Sequence, residues 1–580
     1  MSMDQLQEQI EFLTQVAQFT NDARLKGALE MAQALPAGSP QQIGMVAEIY
    51  KQVQEAMKGY TVASSPELEW EPTVLPEVPQ ADDQYDVIII GSGIGGLTAG
   101  IEIAQSGAKV LLLEQHYVFG GATHNYVRKG KYHFDAGVET ISGLGHLGAP
   151  NHFLTRHDMW KEVEFLKTSF HFRFGEHYIT LPNELGPWVE DLCTRYPHEE
   201  AGIREFFTFT KAAYEEKYSF FEPDRITPRP VTDEEKMSYP ELHPHNYRLM
   251  TTTWGEFMGE HFKDPMLHRE VSLLSHFIGD LNEDTPTSDM LPLLGYFIVG
   301  GYRVKGGSQR LADAFVRKFR EYGGVAKSSV TVDKILVEDG EVKGVETKKG
   351  TYYAPIVISN IDPRMMYENL LGVEHLTEEY QEKIKTLIPS ASAFIFQAIL
   401  KKPFPHDAIV TYYFKEPIEA PEIGATFPRC SYVSAATHDP SLVAEGEGQI
   451  TINLNAPADL ERFTSMSKEE YADFKEKALA VGMRILKEID EEAHDNVLWA
   501  EISTPKTAFN YMRTYGGSIY NIRPSKARKF PNTNAPVKGL YLCGAGVHGP
   551  GVEAVVISGG FAAEKIKPYF EARKAALSSN

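Results

Sequence analysis

The chain has 580 residues, 42% of them hydrophobic and 23% charged, which is typical of a folded protein and too long for one ordinary core. Its net charge of −22 disfavours nucleic-acid binding and broad adhesion to anionic membranes. Three cysteines without CxxC spacing, and histidines without companions at metal-ligand spacing, argue against a disulfide framework, a thiol-redox site and a metal site.

Residues 1–60 are predicted to be helical, because Leu6, Ile10, Leu13, Val16 and Phe19 recur at three- and four-residue spacing and a second such run follows the turn at 36–40. Residues 61–84 are rich in proline and acids and predict an extended linker. We expect the helical segment to be a lid packed on the enzyme. A partner-docking or oligomerisation module is the alternative, and the oligomeric state stays open.

The N-terminus has no secretory pattern, and the sequence has no uninterrupted apolar stretch of membrane-spanning length. We therefore expect a cytoplasmic protein. Peripheral contact with a membrane is compatible with this expectation if the protein collects a lipid there.

Residues 85–114 describe a dinucleotide-binding βαβ unit. Tyr85–Ile90 predicts a buried parallel strand, and the four glycines that follow it are expected to bind the cofactor: Gly91, Gly93, Gly95 and Gly96. Three of them form G-x-G-x-x-G, which permits a tight turn and lets a pyrophosphate approach the helix N-terminus. Glu114 ends the second strand 23 residues after Gly91, where a carboxylate can bind an adenosine ribose.

The continuation indicates which dinucleotide is bound. Gly120-Gly121 and then residues 133–137 (HFDAG) resemble the extended fingerprint of two-domain FAD-dependent oxidoreductases, in which this segment runs beside the flavin dinucleotide. Near the other end, the predicted strand Gly539–Cys543 leads into a glycine-rich turn and a helix over 554–566. Enzymes of this class place that turn under the flavin, with the helix N-terminus facing the pyrimidine end of the ring.

The C-terminal turn contains a second literal G-x-G-x-x-G at Gly544, Gly546 and Gly549. Only 31 residues follow Gly549, too few for another βαβ half, so we predict no nicotinamide domain. Electrons must then pass to or from a quinone, oxygen or an external reductase, unless the reaction is redox-neutral.

A more specific resemblance rests on blocks that recur in order: GSGIGGLTAG, LEQH-x3-GG, HFDAG, GGYRVKGGSQRLADAF, IVISNIDP and GLYLCGAG-x-HGPGVEAVVISG. Together they resemble the phytoene desaturase, carotenoid isomerase and retinol saturase group of flavoproteins over about residues 83–570. The resemblance implies FAD as cofactor and an apolar lipid or polyene as substrate. It also implies that Val330 lies on the strand whose backbone binds the adenine, and that Gly544, Gly551 and Val552 lie near the flavin.

The expected fold is α/β, with a Rossmann-like FAD-binding domain discontinuous in sequence, a substrate domain of mixed β-sheet and helices, and the N-terminal helical appendage. The expected divisions follow the chain: appendage 1–60, linker 61–84, first FAD-binding segment 85–149, helical substrate domain 150–299, second FAD-binding segment 300–365, β-rich substrate domain 366–530, third FAD-binding segment 531–570, tail 571–580. Within the second FAD-binding segment, the sequence predicts an amphipathic helix over Leu311–Tyr322, a hairpin turn at Asp339-Gly340 and a buried strand at Ile356–Ser359.

Two departures from the desaturases place titratable groups near the expected flavin: Gly-Gly-Ala-Thr-His replaces Gly-Gly-Arg, and Gly-Pro-Gly-Val-Glu replaces Pro-Gly-Gly-Gly. Glu553, His548 and His124 are therefore the candidate catalytic residues, and a proton donor there suits isomerisation or saturation of a double bond. Tyr515–Tyr520 is expected to form a turn facing flavin or substrate. Desaturation of an isoprenoid, an amine-oxidase reaction and a catalytically quiet flavoprotein scaffold are the alternatives.

Overall fold

The computed structural model describes residues 3, 5–7, 9–10, 13, 23–60, 83–222, 225–250, 252–273, 285–405, 409–523 and 531–578. Most of the predicted linker, and the apolar positions Val16 and Phe19, lie outside these ranges. The chain forms two compact units: Met1–Glu71 with Trp160–Phe165, and Pro72–Met159 with Leu166–Asn580. Within the described ranges, no helix has both the length and the apolarity needed to cross a membrane.

The first unit contains helices α1 (Ala23–Gln33) and α2 (Pro40–Tyr60), which lie on either side of the predicted proline turn. Apolar side chains spaced three and four residues apart share one face of each helix. They form a small core with the described residues of the N-terminal run: Leu6, Leu13, Leu29, Ala32, Val46 and Ile49. The helical prediction is therefore correct for the described residues of this region.

The second unit opens with the predicted βαβ unit. Its first elements are β1 (Val87–Ile90), α3 (Ile94–Ala104), β2 (Val110–Leu113), β3 (Asn125–Arg128), β4 (Tyr132–Asp135) and α4 (Ala149–Arg156). Every residue of β1 and β2 is buried, as expected for strands covered on both faces.

Residues 160–299 are helical for the most part, but three strands were not predicted. The strands are β5 (Phe165–Lys167), β6 (Phe170–Phe174) and β7 (His177–Thr180). The helices are α5 (Leu185–Arg195), α6 (Glu200–Tyr218), α7 (Asp233–Met237), α8 (Tyr239–Leu242), α9 (Pro244–Met250), α10 (Trp254–His261), α11 (Pro265–Val271) and α12 (Thr287–Ile298). The aromatic residues of β6 form a strand because they pair with a partner more than 200 residues away, at 409–413.

Residues 300–365 return to the region of β1. They form β8 (Tyr302–Val304), α13 (Gln309–Glu321), β9 (Val325–Lys327), β10 (Val332–Glu338), β11 (Glu341–Thr347), β12 (Gly350–Tyr353), β13 (Ile356–Ser359) and α14 (Pro363–Met365). The amphipathic helix, the hairpin at Asp339-Gly340 and the buried strand at 356–359 agree with the prediction.

The remaining residues alternate long strands with helices and end in a 27-residue helix. The elements are α15 (Glu378–Lys385), β14 (Ser392–Leu400), β15 (Ile409–Ala420), β16 (Ala425–Val433), α16 (Ala435–His438), β17 (Gly448–Ala456), α17 (Leu460–Thr464), α18 (Lys468–Ile489), α19 (Glu491–Asp495), β18 (Val497–Ser503), α20 (Pro505–Met512), β19 (Leu540–Leu542), α21 (Ala545–His548) and α22 (Val552–Ser578).

Two sheets organise the second unit. The first has the order β19-β13-β1-β2-β9, and all of its pairings are parallel. The second has the order β18-β14-β17-β16-β15-β6-β7 and is mixed, because β6 pairs parallel to β15. The parallel sheet draws its strands from three separate stretches of chain, so the predicted α/β fold with a discontinuous Rossmann-like sheet is confirmed.

Candidate active site

The carboxyl ends of four neighbouring strands of the parallel sheet meet at one edge. Gly91 follows β1, Glu114 follows β2, Asn360 follows β13, and Gly544 lies two residues after β19. Doubly wound sheets bind their ligands outside the carboxyl ends of the strands. This edge is therefore where a dinucleotide would lie.

The first glycine turn is packed too closely to admit side chains. Gly91 has a φ angle of +93°, which favours glycine. A Cβ atom on Gly96 would lie 2.4 Å from the carbonyl oxygen of Gly91, and one on Gly93 would lie 2.7 Å from Nδ2 of Asn360. The glycines therefore allow the close packing of this turn, and the free N–H groups at the N-terminus of α3 can bind a phosphate group.

Glu114 reaches back to this turn. The backbone N–H and the hydroxyl of Ser92 donate to its Oε2 atom at 2.9 and 2.7 Å, and the N–H of His116 donates to its Oε1 atom at 2.8 Å. The predicted Gly120-Gly121 pair lies beside them, because the Gly120 N–H donates to Ser92 Oγ at 3.0 Å. The structure therefore brings the acid and both glycine segments together, and a ribose-binding role for Glu114 stays a prediction.

The second glycine turn touches the first. A Cβ atom on Gly95 would lie 3.1 Å from Cα of Gly544 and 2.8 Å from Oδ1 of Asn360. Gly544 has a φ angle of +94°, and its N–H donates to Ser558 Oγ at 3.0 Å. Asn360 was not among the predicted site residues; its place directly after the buried strand β13 was the signal that could have identified it.

Val330 requires a correction. It lies in the connection between β9 and β10, whereas the resemblance implied a position on a strand. Its side chain is buried, and its N–H donates to the carbonyl oxygen of Glu114 at 2.8 Å. Because Ser329 turns the chain with a φ angle of +55°, the strand ends before Val330 is reached.

Glu553 is the second residue of α22 and is 6% exposed. Ser142 Oγ donates to its Oε2 atom at 2.9 Å, and the Tyr218 hydroxyl donates to its Oε1 atom at 3.2 Å. Burial raises the pKa of Glu553, although these two hydrogen bonds and the nearby Lys217 act in the opposite direction. We call Glu553, Ser142 and Tyr218 the Glu553 cluster.

Predicted flavin neighbours adjoin this cluster. Gly551 has a φ angle of +105°, and the buried Val552 begins α22. Aromatic rings surround the carboxyl group: the ring of Tyr218 stacks on that of Tyr214 at 4.2 Å, and the negative charge of Glu553 adds to burial in raising the pKa of Tyr296. The carboxyl group therefore faces an aromatic environment.

The two candidate histidines have different surroundings. His124 is 9% exposed, and its Nδ1 atom is 2.6 Å from the carbonyl oxygen of Gly121, so it lies beside the glycine pair. Burial lowers its pKa, which favours the neutral imidazole. His548 is exposed at the end of α21, with its ring 5.2 Å from that of Phe561. The catalytic roles of both stay predictions.

Sequence reasoning missed Glu139, which lies two residues after the HFDAG block. It is half-buried, and Asn453 Nδ2 donates to its Oε1 atom at 3.4 Å. Burial raises the pKa of Glu139 to about 7, partly opposed by the positive charge of Arg303. Its negative charge adds to burial in raising the pKa of Tyr520, the last residue of the predicted 515–520 turn.

The residues at the sheet edge fit FAD. The N-terminus of α3 offers donors for a pyrophosphate, Glu114 follows the strand after which dinucleotide-binding folds hold a ribose, and the two glycine turns meet at the edge of the sheet. The N-terminus of α22 offers a positive dipole end beside the second turn, where it can stabilise negative charge at the pyrimidine end of a flavin.

Comparisons with known proteins agree with this geometry. Residues 94–567 match the model of the flavin containing amine oxidoreductase family. Prolycopene isomerase 1 of an Oncidium hybrid cultivar is 27% identical over 509 residues, covering 83% of this chain and 84% of that protein. Human all-trans-retinol 13,14-reductase is 23% identical over 80% of this chain and 83% of that protein. The crystal structure of an oxidoreductase from Methanosarcina mazei superposes with a TM-score of 0.56 at 17% identity, covering 83% of this chain and 100% of that chain.

Proposed function

Because the chain belongs to the flavin containing amine oxidoreductase family, we propose that it is an FAD-dependent enzyme that isomerises or saturates a carbon–carbon double bond of a long apolar polyene. The observation that carries this proposal is the buried, hydrogen-bonded carboxyl group of Glu553 at the first turn of α22. The names of the prolycopene isomerase and the retinol reductase, two relatives covered over most of their length, support a polyene as substrate.

When bound, FAD supplies hydride or electron exchange with a conjugated π-system. The chain's own residues have three tasks. The glycine turns at the carboxyl edge of the parallel sheet (the glycine edge) and Glu114 would hold the dinucleotide. The dipole at the N-terminus of α22 would favour negative charge near it, and the packed aromatic side chains around α6 and α12 would exclude water. In a net saturation, electrons enter from a quinol or an external reductase, whereas an isomerisation needs none.

Glu553 would supply the proton. Burial raises its pKa, so the carboxyl group keeps its proton to a higher pH than an exposed glutamate would. Ser142 and Tyr218 fix its orientation, and a proton delivered from it to a polyene carbon completes a reduction in a saturation. In an isomerisation the same proton creates a cation about which the bond can rotate, and the Glu553 carboxylate takes the proton back afterwards. The stacked rings of Tyr214 and Tyr218 would stabilise such a cation through their faces.

The test compares Glu553→Gln with Glu564→Gln in the FAD-loaded protein. Glutamine keeps size and hydrogen bonding but has no acidic proton. We expect Glu553→Gln to keep the flavin spectrum and to lose about 10²–10⁴-fold in turnover of prolycopene or retinol, measured by chromatography with oxidised and dithionite-reduced enzyme.

Glu564 lies on the same helix and pairs with Arg225 near the surface, so its variant should stay within about twofold of the parent. Turnover of the Glu553→Gln variant at the parental rate would contradict the assigned role. Failure of the parent to convert either polyene under both redox conditions would contradict the proposed function.

A further inference from the structure

Glu139 lies on a strip of chain that runs from the Gly120-Gly121 pair to the Glu553 cluster. At one end, the Val138 N–H donates to the carbonyl oxygen of Ala122, the residue directly after the glycine pair, at 3.3 Å. At the other end, Ser142 Oγ donates to Glu553. Glu139 and Ser142 are three residues apart, a span of at most about 10 Å. The half-buried Glu139 therefore lies close along the chain to Ser142, the hydrogen-bond partner of the buried Glu553.

Strand β17 of the mixed sheet faces this strip. Residues alternate between the two faces of a strand. Ile450, Ile452 and Leu454 are fully buried in the core on one face, so Asn453 points to the other face, where its amide donates to Glu139 at 3.4 Å. The strip contributes the carboxyl group of Glu139 and the mixed sheet contributes the amide of Asn453, and the two groups are in contact.

Charged groups complete this polar region. Arg303 is 2% exposed and forms an ion pair with Asp135, yet its Nε and Nη1 atoms have no hydrogen-bond partner among the described residues. Tyr520 lies within the electrostatic influence of both Glu139 and Arg429, which shift its pKa in opposite directions. We call Glu139, Asn453, Arg303 and Tyr520 the Glu139 cluster.

The Glu139 cluster contains polar groups that a hydrocarbon substrate could not pair with. A buried donor or acceptor without a partner is unfavourable, and a purely hydrocarbon polyene offers neither. The ion pair with Asp135 explains the position of Arg303 but not its two unpartnered donor atoms. It also leaves unexplained the carboxyl–amide pair of Glu139 and Asn453. A hydroxyl group can donate to the carboxyl oxygen and accept from the amide at the same time.

We propose that Glu139 and Asn453 bind a hydroxyl group at the end of the substrate, so that the enzyme acts on hydroxylated polyenes in preference to hydrocarbon carotenes. This inference rests on the proposed function, since the same substrate must reach Glu553. Since Ser142 is three residues from Glu139 and contacts Glu553, neighbouring parts of this strip would hold the terminal oxygen and adjoin the proton donor.

The test measures binding with matched pairs of polyenes. Zeaxanthin and β-carotene share one carbon skeleton and differ only in ring hydroxyls, and retinol is compared with its 15-deoxy hydrocarbon. Dissociation constants come from quenching of the flavin fluorescence of the oxidised holoprotein, so no turnover is needed. We expect the hydroxylated member of at least one pair to bind about tenfold tighter or more, as in sites built to pair a substrate hydroxyl.

Two variants test whether Glu139 and Asn453 cause the preference for hydroxylated polyenes. Glu139→Met and Asn453→Leu keep approximate size but remove the polar groups, and each should bring the two members of the pair to within about threefold, with hydrocarbon binding unchanged or tighter. Glu346→Met removes an exposed carboxylate from β11 and should leave the ratio unchanged. Each variant is first checked for its flavin spectrum. If one variant loses FAD, the test rests on the ratio of dissociation constants in the parent and in the other variant.

The outcomes separate the two proposals. Equal binding of both members of each pair by the parent, or a ratio that survives both variants, would overturn the role of Glu139 and Asn453 while leaving polyene chemistry intact. Failure of all four polyenes to bind would overturn the proposed function, and this inference with it.

Discussion

The glycine edge and the two glutamate clusters lie in the same compact unit but are built in opposite ways. At the edge, function depends on missing side chains: a Cβ atom on Gly96 would lie 2.4 Å from a backbone oxygen. In the clusters, function depends on polar side chains that are costly to bury, such as Glu553 at 6% exposure. We therefore expect the edge to be sterically intolerant of side chains, and the clusters to tolerate isosteric replacement while reducing stability.

The largest expected effect comes from placing a side chain in the first glycine turn. Gly96→Val places a side chain against the backbone of Gly91 and should yield colourless or unfolded protein, because backbone atoms cannot move aside. Gly186→Val is the matched control, since a Cβ atom there meets nothing within 4 Å, and it should bind FAD like the parent. Flavin content is read from the visible spectrum after gel filtration. Full flavin occupancy in Gly96→Val would contradict the assignment of the pyrophosphate site to this turn.

The same contrast explains what the sequence could predict. The turn after β1 and the hairpin at Asp339-Gly340 depend on neighbours in sequence, and the strand Ile356–Ser359 is marked by a continuous apolar run; all three were predicted. The partners in the clusters are far apart: Ser142 and Glu553 are separated by 411 residues, and Glu139 and Asn453 by 314. Glu553 was predicted because the resemblance placed it near the flavin, whereas the partner of Glu139 emerges only from tertiary structure.

Two errors have different causes. Strand β6 was assigned to a helical region because its aromatic residues form a strand only when paired with β15. Val330 was placed on a strand by resemblance, but a residue with positive φ, Ser329, precedes it and ends β9 earlier. The local sequence pattern predicted strands correctly where both faces of the strand are buried. It failed for β6, whose conformation depends on a distant partner strand.

A smaller effect tests the hydrogen bonds within the Glu553 cluster. Ser142 and Tyr218 stabilise the charged carboxylate, so removing either raises the pKa of Glu553 further. If activity needs the protonated acid, it is lost as pH rises through this pKa, and the alkaline limb should move to higher pH in Ser142→Ala and in Tyr218→Phe. The shift should be larger for Ser142→Ala, because Ser142 has the larger influence.

Turnover at the low-pH plateau should fall by about tenfold or less in both variants, since a positioning hydrogen bond is lost and the acid is kept. The measurement is the pH profile of kcat from pH 5 to 9, a range wide enough for a perturbed carboxylate to titrate. An alkaline limb that stays in place in both variants would show that another group titrates.

The smallest expected effect is on stability, and it distinguishes the clusters from the edge most directly. A carboxyl group whose pKa is raised by folding contributes stability that is full below its ordinary pKa and declines as pH rises through the raised value. At pH 8 the parent therefore bears the cost of a buried carboxylate, which Glu553→Gln does not. We expect this variant to melt about 1–3 °C higher than the parent at pH 8 and at the same temperature at pH 4, with FAD in excess. Glu564→Gln, which loses an ion pair with Arg225, should show no such gain. Melting temperatures of Glu553→Gln equal to those of the parent at both pH values would mean that the carboxylate is solvated in the folded protein. The site would then reduce the stability of the fold by nothing measurable, and no trade between stability and activity would be present at Glu553.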